Sequence, residues 1–310
     1  MTSPAEEAFE RHRAAVRERL QRAGVAPAGP ASVSWKINRE IVVVAGWGRA
    51  ILLQFAHPLV AAGVADHSHF RGNLLSSVGR LRSTVRAMLS LTFGDEADAI
   101  AAAAGINCIH DRIHGALASA AGVFPAGQPY SAHDPELLQW VHATLLDSVP
   151  RIYELLVGPL TAEERDRYCV EAAAMEPLLD IPAGSLPRNT RDLDRYVEEM
   201  MASRRLVVTD TSRMLARALL YPPHSYVAWP VFRALRLISI GLLPPAIRDG
   251  YGFTWGPAEA RAFDRWSAML RSIGRTLPSW SRQWPAARRR FPARAGHAPE
   301  LSRPRLERKP

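Results

Sequence analysis

The sequence predicts an all-α protein, with one large domain of about ten helices over residues 1–280. Three observations predict it. Apolar residues recur with a helical period along nearly the whole chain, and no run alternates as a half-buried strand would. Helix-start residues stand at the heads of these periodic stretches. Glycine and proline clusters separate them. With 310 residues, 47% hydrophobic and 22% charged, the chain is long and apolar enough for a sizeable core.

The elements follow in order. The N-terminus, with Ser3, Pro4, Glu6, Glu7 and Glu10, is polar and acidic, so no signal peptide and a cytoplasmic location are expected. Ile41 to Ala65 is apolar enough to suggest a membrane span, but Arg49, Gln54, His57 and Pro58 interrupt it. A buried helix pair is expected there. Asp95 caps a helix that carries His110, and Asp134 caps another that opens with Pro135. Thr161-Ala162-Glu163-Glu164 reads as a capping box, and Pro257 opens a helix toward Met269. Breaks fall near Gly122–Tyr130, Pro182–Arg188, Pro222–Pro223 and Pro244–Pro245.

The net charge of +9 suggests nucleic acid until it is located. Residues 281–310 carry nine Lys or Arg against Glu300 and Glu307, which leaves the body nearly balanced. Residues 281–310 therefore read as a disordered Arg/Pro-rich tail, with contact to an anionic surface in reach and no nucleic-acid partner expected. Lysine occurs only at Lys36 and Lys309, a bias that fits coding composition better than a selected basic surface. Cys108 and Cys169 have neither zinc spacing nor a disulfide framework, which fits a reduced compartment.

The chemistry-bearing stretch is Ile106-Asn107-Cys108-Ile109-His110-Asp111-Arg112-Ile113-His114-Gly115. On a helical wheel with Ile106 at the origin, Ile113 and Leu117 fall within about 20°, His110 near 40° and His114 near 80°. His110 thus stands inside the apolar stripe and His114 at its edge. A buried imidazole needs a partner, a core hydrogen bond or a metal. Two histidines four apart also chelate a single ion, although no third ligand or glutamate base stands nearby. On residue physics alone, a core histidine and a ligand remain equal readings.

Two further clusters stand out. In Gly79-Arg80-Leu81-Arg82-Ser83-Thr84, Arg80 and Thr84 share the apolar side of a helix, while Arg82 and Ser83 face away. An inward guanidinium calls for an anion, either a cofactor's or a buried carboxylate. His57, before Pro58, is expected to end a helix and to line the same cavity. His67 and His69 read as solvated or capping. His12, His133, His142, His224 and His297 join no cluster. Tyr130 and Trp140 read as packing residues.

Taken in order, these segments resemble the MpaB and rubber-oxygenase catalytic-domain family, which includes the latex-clearing proteins. The resemblance rests on Arg39-Glu40, on Leu52-Leu53-Gln54-Phe55-Ala56-His57-Pro58 through Gly63-Val64, on Arg80, Thr84 and Phe93-Gly94, and on His110-x-x-Ile113-x-Gly115. It continues through Tyr130-Ser131-Ala132-x-Asp134-Pro135, Trp140-Val141-His142, Gly158-Pro159-Leu160-Thr161, Leu243-Pro244 and Arg248-x-x-Tyr251-Gly252. It implies helices around a b-type haem, His110 as the proximal iron ligand, and Arg80 and Thr84 on the oxygen-binding side. His57 is a candidate for the same pocket. Characterised members cleave isoprenoid double bonds with O₂.

The rubber-cleaving enzymes carry a lysine directly before that threonine. Here the position is Ser83, so neither lysine capping of iron nor polyisoprene as substrate is expected. The function implied is a haem b-dependent oxygenase acting with O₂ on an apolar, isoprenoid- or lipid-like substrate. The alternatives are a non-catalytic haem-binding or sensing protein, and a non-haem metalloenzyme using His110 and His114. A helical scaffold with a membrane-seeking tail is the third.

Overall fold

The computed structural model describes residues 3–24, 29–67, 74–221 and 229–290, with the side chains of 74–82, 229–231 and 289–290 excepted. The breaks expected at Pro222–Pro223, together with His69, His224 and His297, lie outside these residues.

The chain folds as the all-α protein its periodicity predicts. In order come α1 (Pro4–Ala23), α2 (Val33–Asn38), a 3-10 turn (Ile41–Val43), α3 (Val44–Phe55), α4 (Pro58–His67), α5 (Leu74–Phe93) and α6 (Glu96–His110). A small hairpin of β1 (His114–Ala116) and β2 (Pro129–Ser131) follows, then α7 (Pro135–Leu156), α8 (Ala162–Ala172), α9 (Met175–Leu179) and α10 (Thr190–Ala202). The chain continues through α11 (Asp210–Leu220), α12 (Trp229–Gly241), α13 (Pro245–Gly250), α14 (Pro257–Thr276), α15 (Ser279–Arg282) and α16 (Pro285–Arg290).

The local signals explain where these helices start. Asp95 accepts a hydrogen bond from the Asp98 amide at 2.8 Å, and Asp134 one from the Glu136 amide at 2.9 Å. Thr161 and Glu164 form the reciprocal capping box. Ser3 and Glu6 form another at α1, which ends on the left-handed Gly24.

α7 is the central element. α3 crosses it so closely that a Cβ on Gly46 would stand 3.0 Å from the Ser148 carbonyl oxygen. Around this contact Ile37, Val43, Ala143, Leu146 and Val149 form one core, and Leu52, Leu53, Trp140 and Ala216 form a second. Val16 of α1 joins Ile100 and Ala103 of α6 in a third. The apolar stretch from Ile41 folds as two helices bent by 105° at His57–Pro58, with Leu52, Leu53, Phe55 and Ala61 buried. Among the described residues, no single helix is long and apolar enough to cross a membrane.

Two expectations need correction. The hairpin adds strand where none is expected, because three-residue strands are too short for a readable alternation. Helix also continues into the stretch read as tail. Trp284 and Ala287 pack with Trp35 and Phe93, and Glu40 takes hydrogen bonds from Arg282 at 3.3 Å and Gln283 at 3.0 Å. Packed chain therefore extends past residue 280, while 291–310 lie outside the described residues.

Candidate functional site

A cavity of about 420 Å³ lies between α5, α6, α7 and α9. Ile106, Leu138, Val141, Leu145, Met88 and Leu91 give it an apolar wall, and Trp284 closes part of one side. His110, His142 and Thr84 bring polar atoms to it. Such a lining, mostly apolar with a few convergent polar groups, is the usual make-up of a ligand site. A larger depression of about 730 Å³ lies between α1 and α8–α9. Its Arg19 is already paired with Asp180 at 3.2 Å and its Arg188 with Glu176 at 2.7 Å, so the smaller cavity is the better site.

His110 is the last residue of α6. Its Nδ1 is buried without a hydrogen-bond partner, and burial, aided by the nearby His133 and His142, lowers its pKa to about 4. The ring is therefore neutral at physiological pH and keeps a lone pair for a ligand. His142, on α7, is likewise held down to about 4 by burial, against the hydrogen bond to its own backbone turn. Its Nδ1 lies 3.3 Å from the Leu138 carbonyl, which only accepts, so Nδ1 carries the proton and Nε2 is left as an acceptor. Sequence spacing alone does not group His142 with the other histidines. Its helical spacing from Leu138 and Leu145 was the available signal that it shares their face.

A second layer lies behind His110. The His133 ring meets it edge-on at 5.7 Å. His133 and His12 both donate to the Asp111 carboxylate, at 2.8 and 2.7 Å. Those hydrogen bonds, the one from His12 foremost, hold the Asp111 carboxyl below its ordinary range. His12 thereby ties α1 to the end of α6. Neither His12 nor His133 was legible as part of a cluster, since the three residues meet only in the fold.

His114 corrects the chelating pair. α6 stops at His110, and His114 is an exposed residue of β1 whose ring neighbours His67 at 6.5 Å. The i, i+4 geometry needed to share one ion is absent. His57 corrects the shared pocket. It is buried at the α3–α4 corner against Phe124, with ring centroids 5.1 Å apart, outside the lining of the cavity. Its Nδ1 is also without a partner, and burial with the charge of Arg205 lowers its pKa to about 4. Thr84 lines the cavity and is solvent-exposed, so α5 forms part of the rim. Arg80 lies one turn earlier on α5, and its side chain is outside the described ones.

The three depressed histidines set an acid limit on stability. Each is neutral when folded down to about pH 4, whereas an unfolded imidazole titrates near 6.5. Their contribution is complete above about pH 6.5 and is lost as pH falls toward 4, by about 1.4 kcal/mol per unit per ring. Denaturant unfolding of the purified chain should show a lower midpoint at pH 5 than at pH 7. An unchanged midpoint would contradict the burial of these rings.

Several motif residues hold the hairpin that follows His110. Gly115 pairs with Tyr130 in register, and a Cβ on Gly115 would stand 2.5 Å from the Tyr130 hydroxyl. That hydroxyl cannot yield freely, because it donates to Asp66 at 2.5 Å. Gly63 meets Ile113 and Tyr130 from α4, where a Cβ would lie 3.3 Å from Ile113. Gly115→Ala should cost about 1–3 kcal/mol through this overlap. Combining it with Tyr130→Phe should cost less than the sum of the two single changes in thermal unfolding.

The structure is thus a helical body with a mostly apolar cavity and two neutral histidines on its wall. The chain belongs to the family described as ER-bound oxygenase mpaB/B′/rubber oxygenase, catalytic domain, whose model matches residues 35–272. It is thus an oxygenase-type catalytic domain. No curated protein and no solved structure matches it significantly.

Proposed function

We propose that the cavity holds haem b with His110 as the iron ligand, and that the domain uses O₂ to oxidise an apolar, isoprenoid- or lipid-like substrate. One observation carries the reading. His110 offers a neutral ring, with a buried nitrogen lacking any partner, to a cavity whose wall is mostly apolar. The donor set fits a haem better than a bare ion. A porphyrin brings its own nitrogen ligands and asks the protein for one or two more. Among the described residues, no three His, Cys, Asp or Glu side chains are placed to hold a metal ion, which disfavours the non-haem alternative.

Bound haem would supply the iron that activates O₂. The protein's own part is positioning and hydrogen bonding. His133 packs edge-on against the His110 ring and limits its rotation. His142, with an unprotonated Nε2, accepts a hydrogen bond from a guest in the cavity. Thr84 offers a hydroxyl at the rim, and Arg80, one turn away on α5, supplies positive charge for an anionic group. The apolar walls exclude water and favour a hydrocarbon substrate.

Oxygen consumption by the haem-loaded protein tests the reading, measured with and without a panel of isoprenoid and fatty-acyl substrates. Uptake that depends on substrate supports it. Haem binding with no substrate-dependent uptake would instead establish the binding or sensing alternative.

A further inference from the structure

The cavity runs along α6. Glu96, the first residue of that helix, and His110, its last, both line it. A helix rises about 1.5 Å per residue, so these two positions stand roughly 21 Å apart. α5 and α6 are joined only by Gly94-Asp95 and pack side by side, which puts Phe93 at the Glu96 end. Trp284 lines the cavity at that same end, because it packs with Trp35, Leu89 and Phe93, and the last two are cavity residues themselves. His110 and Trp284 therefore stand at opposite ends of the space, with Ala99 and Ile106 of α6 between them.

The segment that carries Trp284 is fastened on both flanks. Before it, Gln283 pairs with Glu40 in an isolated antiparallel bridge, and the buried Glu40 carboxylate accepts from Arg282 and Gln283. The Trp284 amide itself donates to the Arg39 carbonyl at 2.9 Å. After it, Pro285 opens α16, whose Ala287 is buried against Trp35 and Phe93. An indole held on such a backbone is a firm wall, with two side-chain torsions and little freedom to yield. The segment also lies beyond residues 35–272, which the family's catalytic-domain model matches.

We propose that Trp284 sets the length of the apolar guest that the cavity accepts. One end of an extended hydrocarbon chain stops against the indole, while the rest reaches along α6 toward His110. The guest is then a linear molecule of bounded length. Such a chain gains affinity with each methylene it buries, and loses that gain once the next methylene must displace a packed ring. The proposal rests on the reading that this cavity takes an apolar guest, and it does not depend on haem.

Calorimetric titration of the purified full chain with saturated fatty acids, from octanoic to stearic, tests it. In the wild type, affinity should rise with chain length to a maximum and then fall. Trp284→Ala should move the maximum to a longer acid and raise the affinity for stearic acid about tenfold, the gain of roughly two more buried methylenes. Trp284→Phe keeps a ring against Trp35 and Phe93, so it should hold the thermal midpoint and move the maximum part of the way. A maximum at the same acid in all three chains, or a wild-type affinity still rising at stearic acid, would overturn the role of Trp284 and leave the cavity reading standing. No binding of any acid by the folded wild type would overturn the two together.

Discussion

Replacing His110 with alanine should lower haem affinity by about 100-fold or more and abolish O₂-dependent turnover. The argument is local. His110 combines a place on the cavity wall with a neutral ring and an unpartnered buried nitrogen, whereas the ring of His142, the other histidine on that wall, is tied by Nδ1 to its own helix turn. The change should not unfold the chain, since the Asp111 bonds to His12 and His133 do not use the His110 side chain. Added imidazole should restore part of the binding, because the cavity vacated by the ring admits it. His142→Ala should behave differently, keeping the haem while reducing turnover. Full haem affinity in the His110 variant, with loss in the His142 variant, would exchange their roles.

The largest effect on stability is expected at Arg49 and Asp147, which join α3 to α7. Their side chains are each 4% exposed and form an ion pair at 2.6 Å. Arg49 also donates to the Ser148 hydroxyl at 2.6 Å and to the Leu242 carbonyl at 2.7 Å, so one guanidinium fastens three segments. Burial lowers the Arg49 pKa and Asp147 opposes that shift, which shows what the carboxylate compensates. Asp147→Ala strands a cation in the core at a cost of about 3–5 kcal/mol. In a chain of this size that is on the order of a 10 °C fall in melting temperature. Arg49→Met with Asp147→Leu should lose less than Asp147→Ala alone, since no buried charge remains. A single variant melting with the wild type would contradict the account.

Much of the fold was legible because its signals are local. Asp95, Asp134 and Thr161 cap the helices they precede, and His57–Pro58 bends the apolar stretch. The end of α6 was not legible. Ile113 and Leu117 keep the helical phase, and no glycine or proline intervenes before Gly115. The helix nonetheless tightens through short-range bonds, from the Arg112 amide to Ile109 and from the Ile113 amide to His110. Asp111, held by His12 and His133 from distant segments, fixes that turn.

The same limit applied to the site. A helical wheel placed His110 on the apolar side with Ile106, and both line the cavity. It carried no information that α7 would bring His142 to it, or that the α3–α4 corner would bury His57 elsewhere. Composition likewise hid Trp284 and Ala287 inside an arginine-rich segment, although both are packed. The motif glycines Gly63 and Gly115 are explained by close approach to Ile113 and Tyr130 rather than by chemistry.

The absorption spectrum of the purified chain, expressed with haem supplied, tests the central claim most directly. An intense Soret band with one haem per chain, lost in His110→Ala at unchanged helical content, is the predicted result. A folded wild-type chain with no Soret band, or a band unaltered by His110→Ala, would contradict it.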